Sequence, residues 1–469
     1  MPITWLYSQN GTTWFQLGNV VATLFAFTVL AWLFIRRPQV FVRPSMQVLA
    51  FYHLLIQWPV AYLSRFIESW VHDQWHVFVL VHGFVLIGIP LALSGSRRTV
   101  SEIWSSLRGD AAGAADNAWA INALFVAAIG CAAVYLTAVD ITDTGLYVLL
   151  TDPVHAPEAR LESLKALPSM LPKYALNVLS STIAPLFTAF AVFAWLHRAH
   201  TWRWNALYPA LLLPVVWTLA LLSGAKGIAV FLVMVVVTTY LWDRRLRLPL
   251  AAAVLAIPVV LVPAVAYVIV IANAHYEVGA MALMDRLAEA ILKRAFLVPA
   301  TTGIWHIDYA QTEGVVGVAG QLKLASALGV DSTRLPMVIG QYYGPAYYGD
   351  EVAAHFSANT GFLFTAYACF GLYGLPLALA MLLCCDLPLI LLRLLPRPWL
   401  VPAMGATSVA VLKFIQSDYT TVWLTHGFGL IVLVAWALWA MRELWRVMSQ
   451  ESRQGSPGAQ RGARGGLPV

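Results

Sequence analysis

Charge is what this chain has least of. Of its 469 residues only 11% are Asp, Glu, Lys or Arg, while 60% are hydrophobic. Soluble domains carry about 25% charged and about 45–50% apolar residues, so this composition excludes an ordinary soluble chain. Cysteine is scarce too. Cys131, Cys369, Cys384 and Cys385 lie in or beside apolar runs, and no disulfide framework or zinc pattern follows from them. No D-x-D motif occurs, which argues against a metal-held nucleotide sugar, and no Walker or Rossmann glycine pattern stands in a fitting context. The alternating segments that build a membrane β-barrel are missing as well, and no internal repeat is visible.

What the chain has instead is apolar stretches of about 20 residues from end to end, the length that crosses about 30 Å of hydrocarbon. The sequence reads as an all-α polytopic membrane protein of about eleven spans, near 16–35, 46–67, 76–95, 118–139, 176–197, 206–222, 227–242, 250–272, 361–384, 400–417 and 422–441. Lys and Arg set its orientation. The opening MPITWLYSQNGTTWFQLG has neither, whereas RRPQVFVR, SRRTVSEIWSSLR, RAHTWRW, DRRLR and LRLLPR fill alternate gaps, and the tail adds five Arg. Eighteen of the 29 Lys and Arg fall on one face with seven acids, giving +11 there and −5 elsewhere. The N-terminus is expected outside and the C-terminus inside. The basic excess is then a topology signal that calls for no nucleic acid. The first span lacks a basic leader and a small-residue cleavage site, and reads as a retained anchor. Residues 1–448 form the expected membrane domain, and 449–469, rich in Gly, Arg and Ser, a disordered cytoplasmic tail.

Two outer loops are long, 140–175 and 273–360, and loops of that length are usually functional or disordered. The second contains MALMDRLAEAILKRAFLVP, with Leu287, Ile291 and Ala295 on one side of a helical pattern and Arg286, Glu289 and Lys293 on another. Farther on, QYYGPAYYGDE places Tyr342, Tyr343, Tyr347 and Tyr348 within seven positions.

Several of the outer cations are candidates for an anion site. Arg65, Lys226 and Lys413 lie in or beside spans towards the outer leaflet, where an ionisable group is a functional candidate. In KRAFLVP, Arg294 offers a planar fork matched to phosphate oxygens and Lys293 adds a point charge. Arg294 equally suits snorkelling to headgroups, or pairing with Glu289 or Asp308. SGAKG around Lys226 is either an ordinary turn or a phosphate-cradling one. In HSANTGFLFTAYACFGLYGLPLA, Asn359 or Thr360 suits a helix cap, and Gly371 and Gly374 suit close helix packing. The other reading puts His355 and Asn359 at the mouth of an outer cavity. HDQWH at 72–76 differs from the zinc pattern H-E-x-x-H by Asp for Glu and has no third ligand, so interfacial anchoring with Trp75 is the favoured reading.

In order, SGAKG, KRAFLVPATTGIWHIDYA and SANTGFLFTAYACFGLYG resemble the oligosaccharide repeat-unit polymerases, the Wzy-type O-antigen polymerase family. The resemblance spans roughly residues 215–380, and the whole chain in topology. It implies a GT-C-like integral-membrane glycosyltransferase in the bacterial inner membrane, with its catalytic loop at 273–360 in the periplasm. The implied donor is an undecaprenyl-diphosphate-linked oligosaccharide. The growing chain moves en bloc to the non-reducing end of a new lipid-linked unit, making O-antigen, capsule or exopolysaccharide. No cofactor and no metal are implied, and a flippase and a chain-length regulator of the same pathway are the expected partners. The family's outer-loop Arg falls on Arg294, its turn cation on Lys226, and its Asn–Gly start of the next span on Asn359 and Gly361. Its R-x10-G spacing is not kept, since Gly303 stands nine residues after Arg294.

On this reading Arg294 and Lys226, with Lys293 or Arg286, hold the diphosphate, and Arg65 and Lys413 are secondary. His306, Asp308 and His355 are candidates for the base, and the four Tyr with Asn359 for sugar contacts. Two alternatives stay open: an O-antigen ligase, and a polysaccharide or lipid-linked sugar flippase. The flippase reading expects charge near the midplane and matched broken helices.

Overall fold

The computed structural model describes residues 14–109, 118–152, 170–197, 204–246, 297–320, 329, 331, 334–348 and 357–454, and all regular structure among them is helical. The first group comprises α1 (Trp14–Arg36), α2 (Pro44–Tyr52), α3 (Trp58–Trp70), α4 (Gln74–Ser94) and the short α5 (Arg97–Ser106). Then come α6 (Ala118–Leu136), α7 (Gly145–Thr151), α8 (Met170–Val178), α9 (Ala184–Leu196), α10 (Trp204–Ala220) and α11 (Lys226–Asp243). The last are α12 (Val298–Thr312), α13 (Leu335–Tyr348), α14 (Phe362–Phe370), α15 (Gly374–Cys384), α16 (Leu389–Leu392), α17 (Arg397–Val411), α18 (Tyr419–Leu424) and α19 (Phe428–Gln454).

Among the described residues seven stretches are long and apolar enough to cross a membrane: Trp14–Arg36, Gln74–Ser94, Ala118–Leu136, Met170–Leu196, Phe362–Leu392, Arg397–Ile415 and Tyr419–Gln450. Each overlaps one of the expected spans. The shorter apolar helices Tyr208–Ser223 and Gly227–Asp243 fall on two more. The expected span near 46–67 coincides with α2 and α3, joined by a π turn at His53–Gln57. The one near 250–272 lies outside the described residues. The chain is thus a polytopic helical membrane protein.

Four details differ from the sequence reading. The fifth span is already helical at Met170, six residues earlier than expected. The described part of the segment expected as an outer loop at 273–360 includes α12, which is buried on almost every side. Gly303 allows this: a Cβ there would run into the Phe364 ring of α14. The span near 361–384 is broken, since α14 stops at Phe370 and Gly371 takes φ +60° before α15 resumes. Finally, neither Asn359 nor Thr360 caps α14. Gly361 is its N-cap and no side chain caps it, while the Thr360 hydroxyl donates instead to the Pro299 carbonyl at 3.4 Å.

α9, α11 and α17 pack on one another at the centre of one half, with α10 against α9. α9 is buried around its whole circumference from Ala184 to Ala191, as a helix apolar on all faces must be when it is central. In the other half α1, α3 and α4 surround a buried polar chain. Trp58 Nε1 donates to His53 Nε2 (3.0 Å), His53 Nδ1 to Gln57 Oε1 (2.7 Å), and Gln57 Nε2 to His82 Nδ1 (2.6 Å). His82 Nε2 then donates to Asn19 Oδ1 (2.7 Å), and Asn19 Nδ2 to the Phe15 carbonyl (2.8 Å). The indole can only donate, so the order of donors fixes both histidine tautomers. The π turn at His53–Gln57 belongs to this chain, which crosses three helices.

The bundle has two polar ends. Arg397 and Lys413 stand at opposite ends of the Arg397–Ile415 stretch, about 24 Å apart along the axis at about 1.5 Å per residue. At the Arg397 end, Asp243 accepts from His197 (2.6 Å) and Arg397 (3.0 Å). Another ion pair, Arg43–Asp386 at 3.2 Å, is reinforced by the Ser45 amide and hydroxyl, both 2.9 Å from the carboxylate.

Candidate functional site

At the Lys413 end a cavity of about 920 Å³ opens between α8, the start of α11 and the segment after α17. Local backbone chemistry builds each wall. α8 passes into a second π turn, Leu179–Ile183, before α9, and such turns often mark functional positions. Around this turn Asn177 Nδ2 and Ser181 Oγ (3.1 Å) both donate to the Thr425 carbonyl. Gly427, at φ +88°, presses against the Ser181 carbonyl with no room for a side chain. These contacts staple the 425–427 turn onto the π turn.

The second wall is the SGAKG turn. A single 3-10 turn, Leu221–Ser223, ends in Gly224 at φ +68°. Ser223 Oγ accepts from the Ala225 amide at 3.3 Å, and α11 begins at Lys226 with no side-chain cap. Gly145, at the start of α7, lies so close that a Cβ on Gly224 would stand 2.5 Å from its carbonyl oxygen. The turn is therefore fixed by backbone-to-backbone packing. An uncapped helix start has unpaired N–H groups, and here Ser223, Ala225 and Gly227 all line the cavity.

Lys413 forms the third wall. Its ammonium donates to the His426 carbonyl at 3.3 Å and lies 5.1 Å from the centre of the Phe231 ring. Among the described residues the cavity lining includes Lys173 and Lys413 but no Asp or Glu. Neutral hydrogen-bonding groups come from Asn177, Ser180, Gln416 and Ser417, and one side is apolar, with Met170, Leu171 and Tyr174. An anion with an apolar tail fits that division.

The expected site residues divide between this cavity and a second cluster. Lys413 lines the cavity and Lys226 starts the helix at its edge. Arg65 is exposed on α3 and is not part of the lining. Arg286, Lys293, Arg294 and His355 lie outside the described residues. Asn359 sits at a corner near the cavity. Its carbonyl accepts from Thr302 Oγ1 at 3.0 Å, and the adjoining Gly361 packs on the carbonyls of Phe414 and Ile415, next to Lys413 and Gln416. The end of KRAFLVP, at Pro299, thus meets the start of α14 beside the cavity wall.

The second cluster is on α12 and α13. Tyr343 stacks on Trp305 (5.4 Å, 12°) and donates to Asp308 at 2.5 Å. Burial, then the Asp308 carboxylate, push the Tyr343 hydroxyl well above its usual pKa, so it stays a donor. Tyr342 is exposed, with its hydroxyl 3.2 Å from Glu313. The side chains of Tyr347 and Tyr348 are outside the described residues. His306 is fully buried. Its Nδ1 donates to the Thr302 carbonyl at 2.8 Å, its Nε2 has no partner, and burial pushes its pKa down to about 4. That burial takes His306 away from any hydroxyl at the surface. His76 of HDQWH is bonded to Tyr367 (2.6 Å) and Gln311 (3.2 Å). Among the described residues no group of three His, Cys, Asp or Glu could hold a metal.

Asn177, Ser180, Gln416, Ser417 and Thr425 were not singled out from the sequence. A faint signal existed in NVLSST, a polar interruption at 177–182 of an otherwise apolar span.

The fold and the cavity define the class: a polytopic helical membrane protein with a lysine-bearing, half-apolar cavity at one end of its bundle. No family model, curated protein or solved structure matches the chain.

Proposed function

We propose that this protein is a membrane glycosyltransferase that polymerises undecaprenyl-diphosphate-linked oligosaccharide units on the outer face of the bacterial inner membrane. The observation that carries this reading is the cavity in which Lys173 and Lys413 meet the SGAKG turn with no carboxylate among the described lining residues. The motif order of the sequence supplies the substrate class.

In the proposed reaction an acceptor hydroxyl oxygen attacks the anomeric carbon of the donor glycan. The bond from that carbon to the diphosphate oxygen breaks, its electron pair stays on the diphosphate, and the hydroxyl proton passes to a base. Charge builds on the leaving diphosphate, and preorganised cations in a site that partly excludes water stabilise it most effectively. Lys413 and Lys173 fill that role, and the sequence adds Lys226, Arg294, Lys293 and Arg286 as further candidates. The apolar side at Met170, Leu171 and Tyr174 would take the first isoprene units. Asp308 and His355 are the remaining candidates for the base.

The test uses protein in liposomes with a lipid-diphosphate-linked oligosaccharide, read as a glycan ladder on a gel. Wild type is expected to give a ladder, and Lys413→Met and Arg294→Ala to lose it while keeping their fold. A ladder in every variant would move the diphosphate elsewhere. Silence of the wild type with several donors would overturn the polymerase reading, and transfer only to a lipid A core would replace it by a ligase.

A further inference from the structure

At the other end of the bundle a second cavity, of about 620 Å³, is ringed by arginine. Arg393 and Arg397 come from the junction of α16 and α17, Arg442 and Arg446 from α19, and Gly109 from the chain after α5. Glu443 is the single acid among the described residues of this lining. Arg397 is held firmly: one terminal nitrogen donates to Asp243 (3.0 Å), the other to the Gly109 carbonyl (2.8 Å), and its buried Nε has no partner among the described residues. Glu443 is shared by Arg442 (3.0 Å) and Arg446 (3.4 Å). Arg393 is exposed and makes no ion pair among the described residues.

Four guanidiniums therefore converge here, and the carboxylates among the described residues that meet them are Glu443 and the Asp243 behind Arg397. Orientation alone requires basic residues on the cytoplasmic side. It does not require them to converge from separate segments on one cavity. Guanidinium forks match phosphate oxygens in pairs. The neighbouring surface is apolar and exposed: Ile390 54%, Leu394 47%, Leu444 61% and Trp445 71%. A soluble anion would have no use for that surface, whereas acyl chains would.

We propose that this arginine cavity binds the phosphate headgroup of an anionic lipid of the cytoplasmic leaflet, a phosphomonoester, with its acyl chains along α16 and α19. The proposal stands apart from the transferase reading, since it uses no residue of the outer cavity.

The experiment is native mass spectrometry of the full chain in neutral detergent, with dioleoyl phosphatidic acid and dioleoyl phosphatidylcholine as probes. The expected result is selective retention of one phosphatidic acid. Retention should fall by about tenfold or more in the double variant Arg393→Gln/Arg446→Gln, at about 1 kcal/mol per basic residue near an anionic lipid. Both side chains are exposed, so the fold should tolerate the change. Arg393→Lys/Arg446→Lys, which keeps charge and loses the fork, should fall between. Arg98→Gln, 90% exposed and paired with Glu102 outside the cavity, should bind as wild type does. Equal retention of both lipids, or of phosphatidic acid by wild type and the Gln double variant, would overturn the proposal. Displacement by millimolar inorganic phosphate would overturn the lipid as occupant and assign the site to a soluble phosphate.

Discussion

Replacing His82 with leucine removes the middle of the buried chain that joins α4 to α1 and α3. Two partners are stranded at once. Gln57 Nε2 loses an acceptor 2.6 Å away, and Asn19 Oδ1 loses a donor 2.7 Å away. Gln57, His82 and Asn19 are at most 1% exposed, so water cannot replace the lost bonds. A stranded buried group costs about 1–3 kcal/mol in soluble proteins. Between membrane helices a hydrogen bond averages about 0.6 and at most about 1.7 kcal/mol, because a chain unfolded within the bilayer also finds partners. Two lost bonds then give about 1–3 kcal/mol. Asn19→Leu breaks the His82 bond and the one to the Phe15 carbonyl, but strands only His82 Nε2 between helices and should cost about half as much. The double variant strands only Gln57, so its loss should fall short of the sum of the two by about 1 kcal/mol. The assay is reversible unfolding of the three variants in mixed micelles, compared as a double-mutant cycle. Losses that simply add would refute the continuous chain.

Two further outcomes follow from single residues. His306 has a folded-state pKa of about 4, below the ordinary 6.5, so its contribution is complete above pH 6.5 and is lost as pH falls towards 4, up to about 3 kcal/mol; His306→Leu should flatten the melting temperature between pH 7 and 5, whereas an unchanged slope would assign acid sensitivity elsewhere. Gly224→Ala puts a Cβ 2.5 Å from the Gly145 oxygen at φ +68°, which should cost about 1–3 kcal/mol and, on the proposed reading, weaken the ladder more than Ala225→Ser does; an unaffected melting temperature would show that the turn is not fixed as described.

The spans were legible because a bilayer imposes length and hydropathy on each segment separately. That is why seven of the expected spans, from Trp14–Arg36 to Tyr419–Gln450, fall on long apolar helices. Lys413 was legible for the same reason, as a cation where the solvent is lipid. The polar lining was not, because Asn177 and Thr425 meet only through tertiary packing at a π turn, which leaves no periodic trace. The embedding of α12 was hidden for a related reason. His306, Trp305 and Asp308 give its sequence a polar, loop-like look, and only the fit of Gly303 to Phe364 reveals a core helix.

The Arg397–Ile415 stretch has a consequence for how the protein is made. It is the least apolar of the seven long stretches, with a mean hydropathy of 1.4, and the most enclosed, at 89% buried. Phe362–Leu392, just before it, reaches 2.4 and is only 33% buried. A translocon judges each segment by its own partitioning into lipid, and Arg397–Ile415 presents the weakest case of the seven. In the finished protein it touches lipid hardly at all. Its insertion therefore depends on company, with α9 and α11 already in place and α19 still to come. A ribosome stalled just after residue 415 would hold this segment less securely in the bilayer than one stalled past 454.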